Sequence, residues 1–157
     1  MWRWTRLCSD SGATLVEFAV SASLVFIVLF GIIQSCLALY TYNYVSDAAR
    51  VATRYASVRG QRCSGMPDCG IDNSGIQTLL RGLKYPGIDP NNLATTTTWF
   101  SASANPPTTW TSCGAAQCNA PQNAVQVTVT YAFPLHIPYW NNATVSIGST
   151  SQEVISN

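Results

Sequence analysis

Charge is scarce in this sequence, and histidine is almost absent. Among 157 residues, eight are Lys or Arg, seven are Asp or Glu and one is His, for a net charge of +1. No basic block is present, so nucleic acid is not an expected partner. The acidic residues show no paired spacing suited to acid/base chemistry, and there is no glycine-rich phosphate loop. His136 lies between two prolines without a neighbouring acid or nucleophile motif. We therefore predict no enzymatic activity, no catalytic residue, no cofactor and no metal.

The charged residues are also unevenly placed. Residues 18–46 contain no Asp, Glu, Lys or Arg, and residues 18–40 are the most apolar part. Those 23 residues form roughly 34 Å of helix, which matches the ~30 Å hydrocarbon core of a bilayer. We predict a cytoplasmic leader at 1–12, one transmembrane helix at 13–42 and an extracytoplasmic domain at 43–157. Membrane lipid is thus an expected partner.

Basic residues flank the apolar segment on both sides. Arg3 and Arg6 precede it and place the N-terminus in the cytoplasm by the positive-inside rule. Four arginines follow it and argue for the opposite orientation: Arg50, Arg54, Arg59 and Arg62. The short N-terminal flank usually dominates, and the cysteines of the C-terminal part favour an oxidising compartment. We therefore expect the N-terminus to be inside.

A helical pattern continues beyond the apolar segment, over residues 43–59. Small and apolar residues recur there at spacings of three and four, which predicts a buried helical stripe. The stripe consists of Val45, Ala48, Ala49, Ala52, Tyr55 and Ala56, and the opposite face of Ser46, Asp47, Arg50, Thr53, Arg54 and Ser57. One helix of roughly 70 Å from about residue 13 to residue 59, ending at Gly60, is the simplest interpretation.

The remaining segments predict a short helix followed by strands. Residues 74–83 are expected to be helical, with Asn73 or Ser74 as the N-cap. Strands are expected at 95–100, 124–133, 143–148 and 151–155, with Pro134 ending the second and residues 101–123 forming a loop. The strand at 124–133 carries alternating apolar residues on one face: Val125, Val127, Val129, Tyr131 and Phe133. The predicted fold is α+β, with a long N-terminal helix packed on a small antiparallel sheet of three or four strands.

Four of the six cysteines lie in the C-terminal part. The spacings Cys63-x5-Cys69 and Cys113-x4-Cys118 are wide for a zinc ribbon and favour disulfides outside the cytoplasm. Four cysteines allow three connectivities. We prefer the two local pairs, because each closes a short glycine-containing loop at a small entropic cost.

An acidic residue, Glu17, begins the apolar segment, five positions after Gly12. It could simply reach the lipid headgroups. A cut between Gly12 and Ala13 would instead make Glu17 the fifth residue of the mature chain, about one helical turn from a new amine. Acids within membranes usually have a partner. Here the partner would be the amine of a neighbouring subunit, which would fix the axial register between helices.

The segment GATLVEFA, with Gly12, Ala13, Glu17 and Phe18, resembles the processing site of type IV pilin-like proteins. The segments SDAARVATRYASVRG (46–60), VQVTVTYAFPL (125–135) and STSQEVIS (149–156) resemble TadE-like proteins, which are minor pilins or pseudopilins of tight-adherence (Flp, type IVc) pili. The major pilins of this class carry Tyr where this chain has Phe18, which favours a minor component. The two cysteine pairs depart from the family pattern.

The resemblance implies a structural role in pilus assembly or initiation. It implies cleavage after Gly12 by a prepilin peptidase and a function for Glu17 in processing or assembly. The implied partners are a TadF-like second minor pilin, the major Flp pilin, an ATPase and inner-membrane platform proteins. The implied location is the inner membrane, as a single-pass protein whose C-terminal domain is periplasmic or extracellular, or in the pilus itself.

Two other classes of protein compete with this interpretation. Residues 33–36, IQSC, resemble a lipobox, which would make Cys36 the lipidated terminus of a lipoprotein, although Gln34 and Glu17 fit that pattern poorly. Alternatively, the chain is a signal-anchored binding or adhesion module outside a pilus system. Three aromatic residues in or near the loop could then present a binding surface, although packing of the sheet against the helix explains them more simply: Trp99, Phe100 and Trp110.

Overall fold

The computed structural model describes residues 11–60, 63–65, 69–103, 109–113, 118–136 and 143–156. The predicted leader at 1–12 lies outside these residues except for its last two. The first element is helix α1, Ser11–Ser57, and the second is helix α2, Asn73–Gly82. A 3-10 turn at Pro90–Asn92 leads into strand β1, Leu93–Ala102. Strands β2, Trp110–Cys113, β3, Ala124–Leu135, and β4, Ala143–Val154, follow.

The four strands form one antiparallel sheet in the order β2-β1-β3-β4. Helix α1 packs against β3 and β4, and α2 packs against β1. The alternating residues predicted for β3 are all buried: Val125, Val127, Val129, Tyr131 and Phe133. This arrangement confirms the predicted α+β fold, in which a long N-terminal helix lies on a small antiparallel sheet.

Helix α1 is continuous from the apolar segment into the folded domain, and it ends two residues before the predicted end at Arg59. Its predicted stripe faces the sheet, with Tyr55 half-buried and the remaining members buried. Thr53 and Ser57 were predicted on the exposed face, and that prediction is wrong, because both are buried. The hydroxyl of Thr53 lies 2.8 Å from the carbonyl oxygen of Ala49 and 3.2 Å from that of Ser151 in β4. These hydrogen bonds satisfy the hydroxyl inside the interface, so a small polar residue is accepted there.

The N-cap of α2 is Asp72, which is one residue before Asn73 and two before Ser74, the two predicted N-caps. Its carboxylate accepts hydrogen bonds from the backbone N–H of Gly75 at 2.9 Å and from the hydroxyl of Ser74 at 2.8 Å. The hydrogen bond from Gly75, followed by that from Ser74, holds the pKa of Asp72 below its ordinary value. The carboxylate therefore stabilises the start of α2 above its ordinary pKa, and this contribution is lost as the pH falls through the lowered value.

Strand β3 runs past Pro134, which was predicted to end it, and continues to Leu135. Pairing between β1 and β3 stops at Leu93 and Tyr131, so the last residues of β3 pair with β4 alone. A strand with one neighbour can leave a backbone nitrogen unpaired on its open side, so a proline is tolerated there.

The two strands predicted at 143–148 and 151–155 are a single strand, β4. The predicted break falls at Gly148, which pairs with Thr130 in an uninterrupted ladder. A Cβ atom at Gly148 would lie 3.3 Å from Cγ2 of Thr130, so the glycine meets a need for close packing, not a turn. Strand β2 was not predicted, because its four residues lie within the segment 101–123, whose composition predicts a loop.

We predict that Ala52→Leu destabilises the folded domain by about 1–3 kcal/mol, because Ala52 is fully buried where α1 meets the sheet and extra methylenes would overpack that contact. Val51→Leu is the matched control, since Val51 is 37% exposed on the same helical turn. Urea unfolding of the full chain in detergent micelles measures both changes. Equal effects of the two variants would contradict the observed packing.

Candidate functional site

The predicted processing and assembly residues lie in the first two turns of α1. Gly12, Ala13, Glu17 and Phe18 are all exposed, and Phe18 is exposed to 72%. A Cβ atom at Gly12 would meet nothing within 4 Å. One helical turn separates Ala13 from Glu17, about 6 Å along the axis. In the described part of the chain, no hydrogen bond or ion pair links the Glu17 carboxylate to another side chain.

The helix beyond Glu17 is apolar all round and uncovered. Residues 12–33 are exposed apart from half-buried Ala22. The exposed large side chains of this part of α1 are Leu15, Val16, Phe18, Val20, Leu24, Val25, Phe26, Ile27, Val28, Leu29, Phe30, Ile32 and Ile33. A helix that is apolar on every side needs lipid or other helices around it. By length and composition it is a candidate membrane anchor.

The folded domain first makes a polar contact with α1 at Gln34. Its side-chain Nε2 donates to the backbone carbonyl oxygen of His136, 3.3 Å away, just after the end of β3. The Oε1 atom of Gln34 is buried and has no hydrogen-bond partner among the described residues. This contact is between a side chain and the backbone, so the imidazole of His136 takes no part in it. His136, which has no catalytic motif around it in the sequence, is exposed.

A cluster of tyrosines follows two turns later. The hydroxyl of Tyr40 donates to the carbonyl oxygen of Pro86 at 3.2 Å, and the rings of Tyr44 and Tyr85 lie 4.6 Å apart. Burial raises the pKa of Tyr44, with smaller contributions from neighbouring phenols. Burial and then Asp47 raise the pKa of Tyr85, whose hydroxyl donates to the Asp47 carboxylate at 3.3 Å. The sequence does not predict this cluster, because Tyr85 is far from Tyr40 and Tyr44 in the chain.

The cysteines of the C-terminal part lie in two local pairs. Cys63 and Cys69 lie at bonding distance with Cα atoms 5.4 Å apart, and Cys113 and Cys118 do so with Cα atoms 6.3 Å apart. The first pair is held to the end of α1 through a hydrogen bond from the Gly70 N–H to the Arg59 carbonyl oxygen. The second pair lies near the start of β3, since Cys113 is opposite Trp99 of β1 and Trp99 is opposite Val125 of β3.

The remaining candidate residues are spread over the molecule. Cys36 is a free, exposed cysteine within α1. Trp99 is 4% exposed in the core, whereas Phe100 and Trp110 are half-buried and lie on the opposite face of the sheet by register. Within the described ranges, no group of three or more His, Cys, Asp or Glu side chains is placed to hold a metal ion.

Part of the chain matches a known protein family. Residues 12–54 match the family described as TadE-like protein, in agreement with the resemblance noted in the sequence. The matched segment covers the exposed half of α1 and most of its buried half, and it suggests a protein associated with a tight-adherence pilus. Comparisons with curated proteins and with solved structures found no match.

We predict that the two cysteine pairs form disulfides. Trypsin cuts after Arg62, Arg81 and Lys84, and no Lys or Arg follows Lys84. Each predicted pair therefore falls within one tryptic peptide, 63–81 or 85–157. Without reduction, each peptide should be lighter by two hydrogen atoms than after reduction. Two peptides joined to each other would show the wrong connectivity, and four free thiols would show that the disulfides do not form.

Proposed function

We propose that this chain, whose residues 12–54 match the TadE-like family, is a minor pilin-like structural protein that assembles or initiates a tight-adherence pilus. The main observation in support is the exposure pattern along helix α1. The helix is exposed over the largely apolar residues 12–33, yet it buries one face against the sheet from Tyr44 to Ser57. One rigid element thus joins a candidate anchor to a folded domain. The role is structural and not enzymatic.

The exposed half of α1 crosses the inner membrane once in this proposal. Residues 13–33 form about 31 Å of helix, close to the ~30 Å of hydrocarbon that a span must cross. Arg3 and Arg6 place the N-terminus in the cytoplasm. The domain from residue 43 onward then lies in the periplasm or outside the cell, where its cysteine pairs are stable as disulfides.

Cleavage by a prepilin peptidase between Gly12 and Ala13 creates the mature N-terminus. The exposure of both residues supports this step, since a protease must reach the bond. The new amine lies about one turn from Glu17. Within a bundle of such helices, the Glu17 carboxylate of one subunit pairs with the amine of its neighbour. Because breaking a buried pair by removing one partner costs about 3–5 kcal/mol, the pair selects one axial register.

The neighbours in the bundle are the major Flp pilin and a TadF-like minor pilin. Inner-membrane platform proteins and an ATPase then move the associated helices toward the filament. The exposed apolar surface of α1 supports lateral association, because helices in lipid pack through such surfaces. The alternative is a signal-anchored binding or adhesion module outside a pilus system. Half-buried Phe100 and Trp110 keep that alternative open.

One prediction of the proposed function concerns cleavage. Protein extracted from membranes of pilus-forming cells should begin at Ala13, as measured by intact mass and N-terminal sequencing. Gly12→Leu should block cleavage without disturbing the fold, because a Cβ atom at Gly12 meets nothing within 4 Å. Gly31→Leu is the matched control in the same helix, since a Cβ atom there also meets nothing. A mature chain that still starts at Met1 would refute processing.

Another prediction of the proposed function concerns Glu17. Glu17→Gln removes the charge with little change in size, and it should strongly reduce piliation or processing. Glu17→Asp keeps the charge but shortens its reach, so an intermediate effect is expected. Ser21→Ala, one turn further along α1, is the control and should have no effect. Electron microscopy counts pili and immunoblotting measures processing. If Glu17→Gln cells keep normal pili and a normally processed protein, Glu17 has no assembly role.

A further inference from the structure

We propose that the folded domain rests on the lipid bilayer through one defined end. This membrane-facing end consists of the turn at residues 85–87 and the end of β3 at Leu135 and His136. The occupant of this surface is the bilayer that surrounds α1. The inference depends on the proposed membrane span, and it adds a second, peripheral contact between this chain and lipid.

The end of the uncovered helix sets the level of the bilayer surface. Exposure of α1 is nearly complete up to Ile33, and Gln34 is the first residue to make a polar contact with the domain. The preceding stretch from residue 13 has the length of a hydrocarbon core, about 31 Å. An amide side chain is costly in hydrocarbon unless it is bonded, so the contact from Gln34 to the His136 carbonyl oxygen suits the boundary.

The sheet and α1 run side by side, so the lower end of the sheet reaches this boundary. Thr53 contacts Ser151, while Gln34 contacts His136. The helix rises about 28 Å over those 19 residues. From Ser151 to Ala143, the partner of Leu135, β4 spans about 26 Å. The two lengths agree, so the β3–β4 pair stands along the helix with its Leu135 end at the level of Gln34.

Part of this end extends below Gln34. Leu135 and His136 share the lining of a cleft of about 420 Å³ with α1 residues that begin at Ile27. Ile27 lies seven residues before Gln34, about 10 Å deeper along the helix. The other helix residues of the cleft are mostly apolar or small: Phe30, Gly31, Ser35 and Ala38. An apolar cleft at this depth suits a lipid acyl chain, because acyl chains fill apolar gaps next to a membrane helix.

The turn at 85–87 borders the same end of the sheet, since Pro86 and Gly87 line a cleft together with Gln34 and His136. Tyr40, whose hydroxyl donates to the Pro86 carbonyl oxygen, lies six residues beyond Gln34, about 9 Å further along the helix and within reach of the headgroup layer. Tyr42 is 53% exposed, and Lys84 is exposed beside the turn. Tyrosines are favoured at both membrane interfaces, and a lysine side chain is long enough to keep its ammonium group among the lipid headgroups. Two acids lie near the turn: Asp47 accepts a hydrogen bond from the Tyr85 hydroxyl, and Asp89 accepts one from the Asn91 N–H.

The test uses the full chain, reconstituted in phosphatidylethanolamine and phosphatidylglycerol vesicles, with a fluorescent label on one introduced cysteine. Cys8 and Cys36 are first replaced by serine. His136→Cys preserves the contact with Gln34, because that contact uses the backbone carbonyl. Thr96→Cys is the matched control, exposed on the sheet face opposite α1. Ile27→Cys reports on the span itself. Quenching by doxyl lipids and by aqueous iodide is measured for each label.

We expect the label at 136 to be quenched by doxyl lipid several-fold more than the label at 96, and to be quenched less by iodide. A label at 136 that behaves like the one at 96 would overturn the membrane contact while leaving the span intact. If the label at 136 is shielded from both quenchers and shows energy transfer between chains, a second copy covers this end and the proposal is wrong. A label at 27 without lipid quenching would refute the proposed span as well.

Discussion

The structure depends on the continuity of α1, whose uninterrupted backbone joins an exposed apolar half to a half that packs against the sheet. Its first half satisfies its own hydrogen bonds and exposes apolar side chains on every side, which only a helix can do within lipid. Its second half buries Val45 and four alanines against β3 and β4. Because no loop separates the halves, the domain cannot turn independently of the exposed half of α1. The position of each half constrains the position of the other.

Small residues on the buried half make that constraint tight. Alanine side chains let the helix backbone approach the sheet closely, and Thr53 reaches the backbone of β4. A close, extended contact favours alignment of the helix with the strands. The alignment brings the end of β3 to Gln34, so the contact between Gln34 and His136 follows from packing some 28 Å away. The close packing of small residues thus contributes to the alignment that places this end of the domain beside the exposed helix.

The sequence predicted those parts of the fold that repeat with a regular period. The alternating valines of β3 and the alanine stripe of α1 are such patterns, and the structure buries both. Local rules failed where tertiary context decides. Pro134 continues a strand because β1 has already ended beside it, and Gly148 lies inside a ladder because Thr130 approaches it closely. Thr53 is buried beside Ser151 of β4, which is 98 residues away and outside any short window of sequence.

The candidate site divides in the same way between local and distant information. Glu17 and Gln34 are both visible in the sequence as polar residues within an apolar run, about 25 Å apart on one helix. The structure treats them differently. Gln34 finds a partner in its own domain, whereas the carboxylate of Glu17 finds none among the described side chains. Within the single chain, the exposed segment therefore has a hydrogen-bonded polar side chain, through Gln34 Nε2, at one of its two ends. Under the proposed function, the other end is satisfied by an amine that only a neighbouring, cleaved subunit provides, so the need for assembly lies at the terminus that cleavage creates.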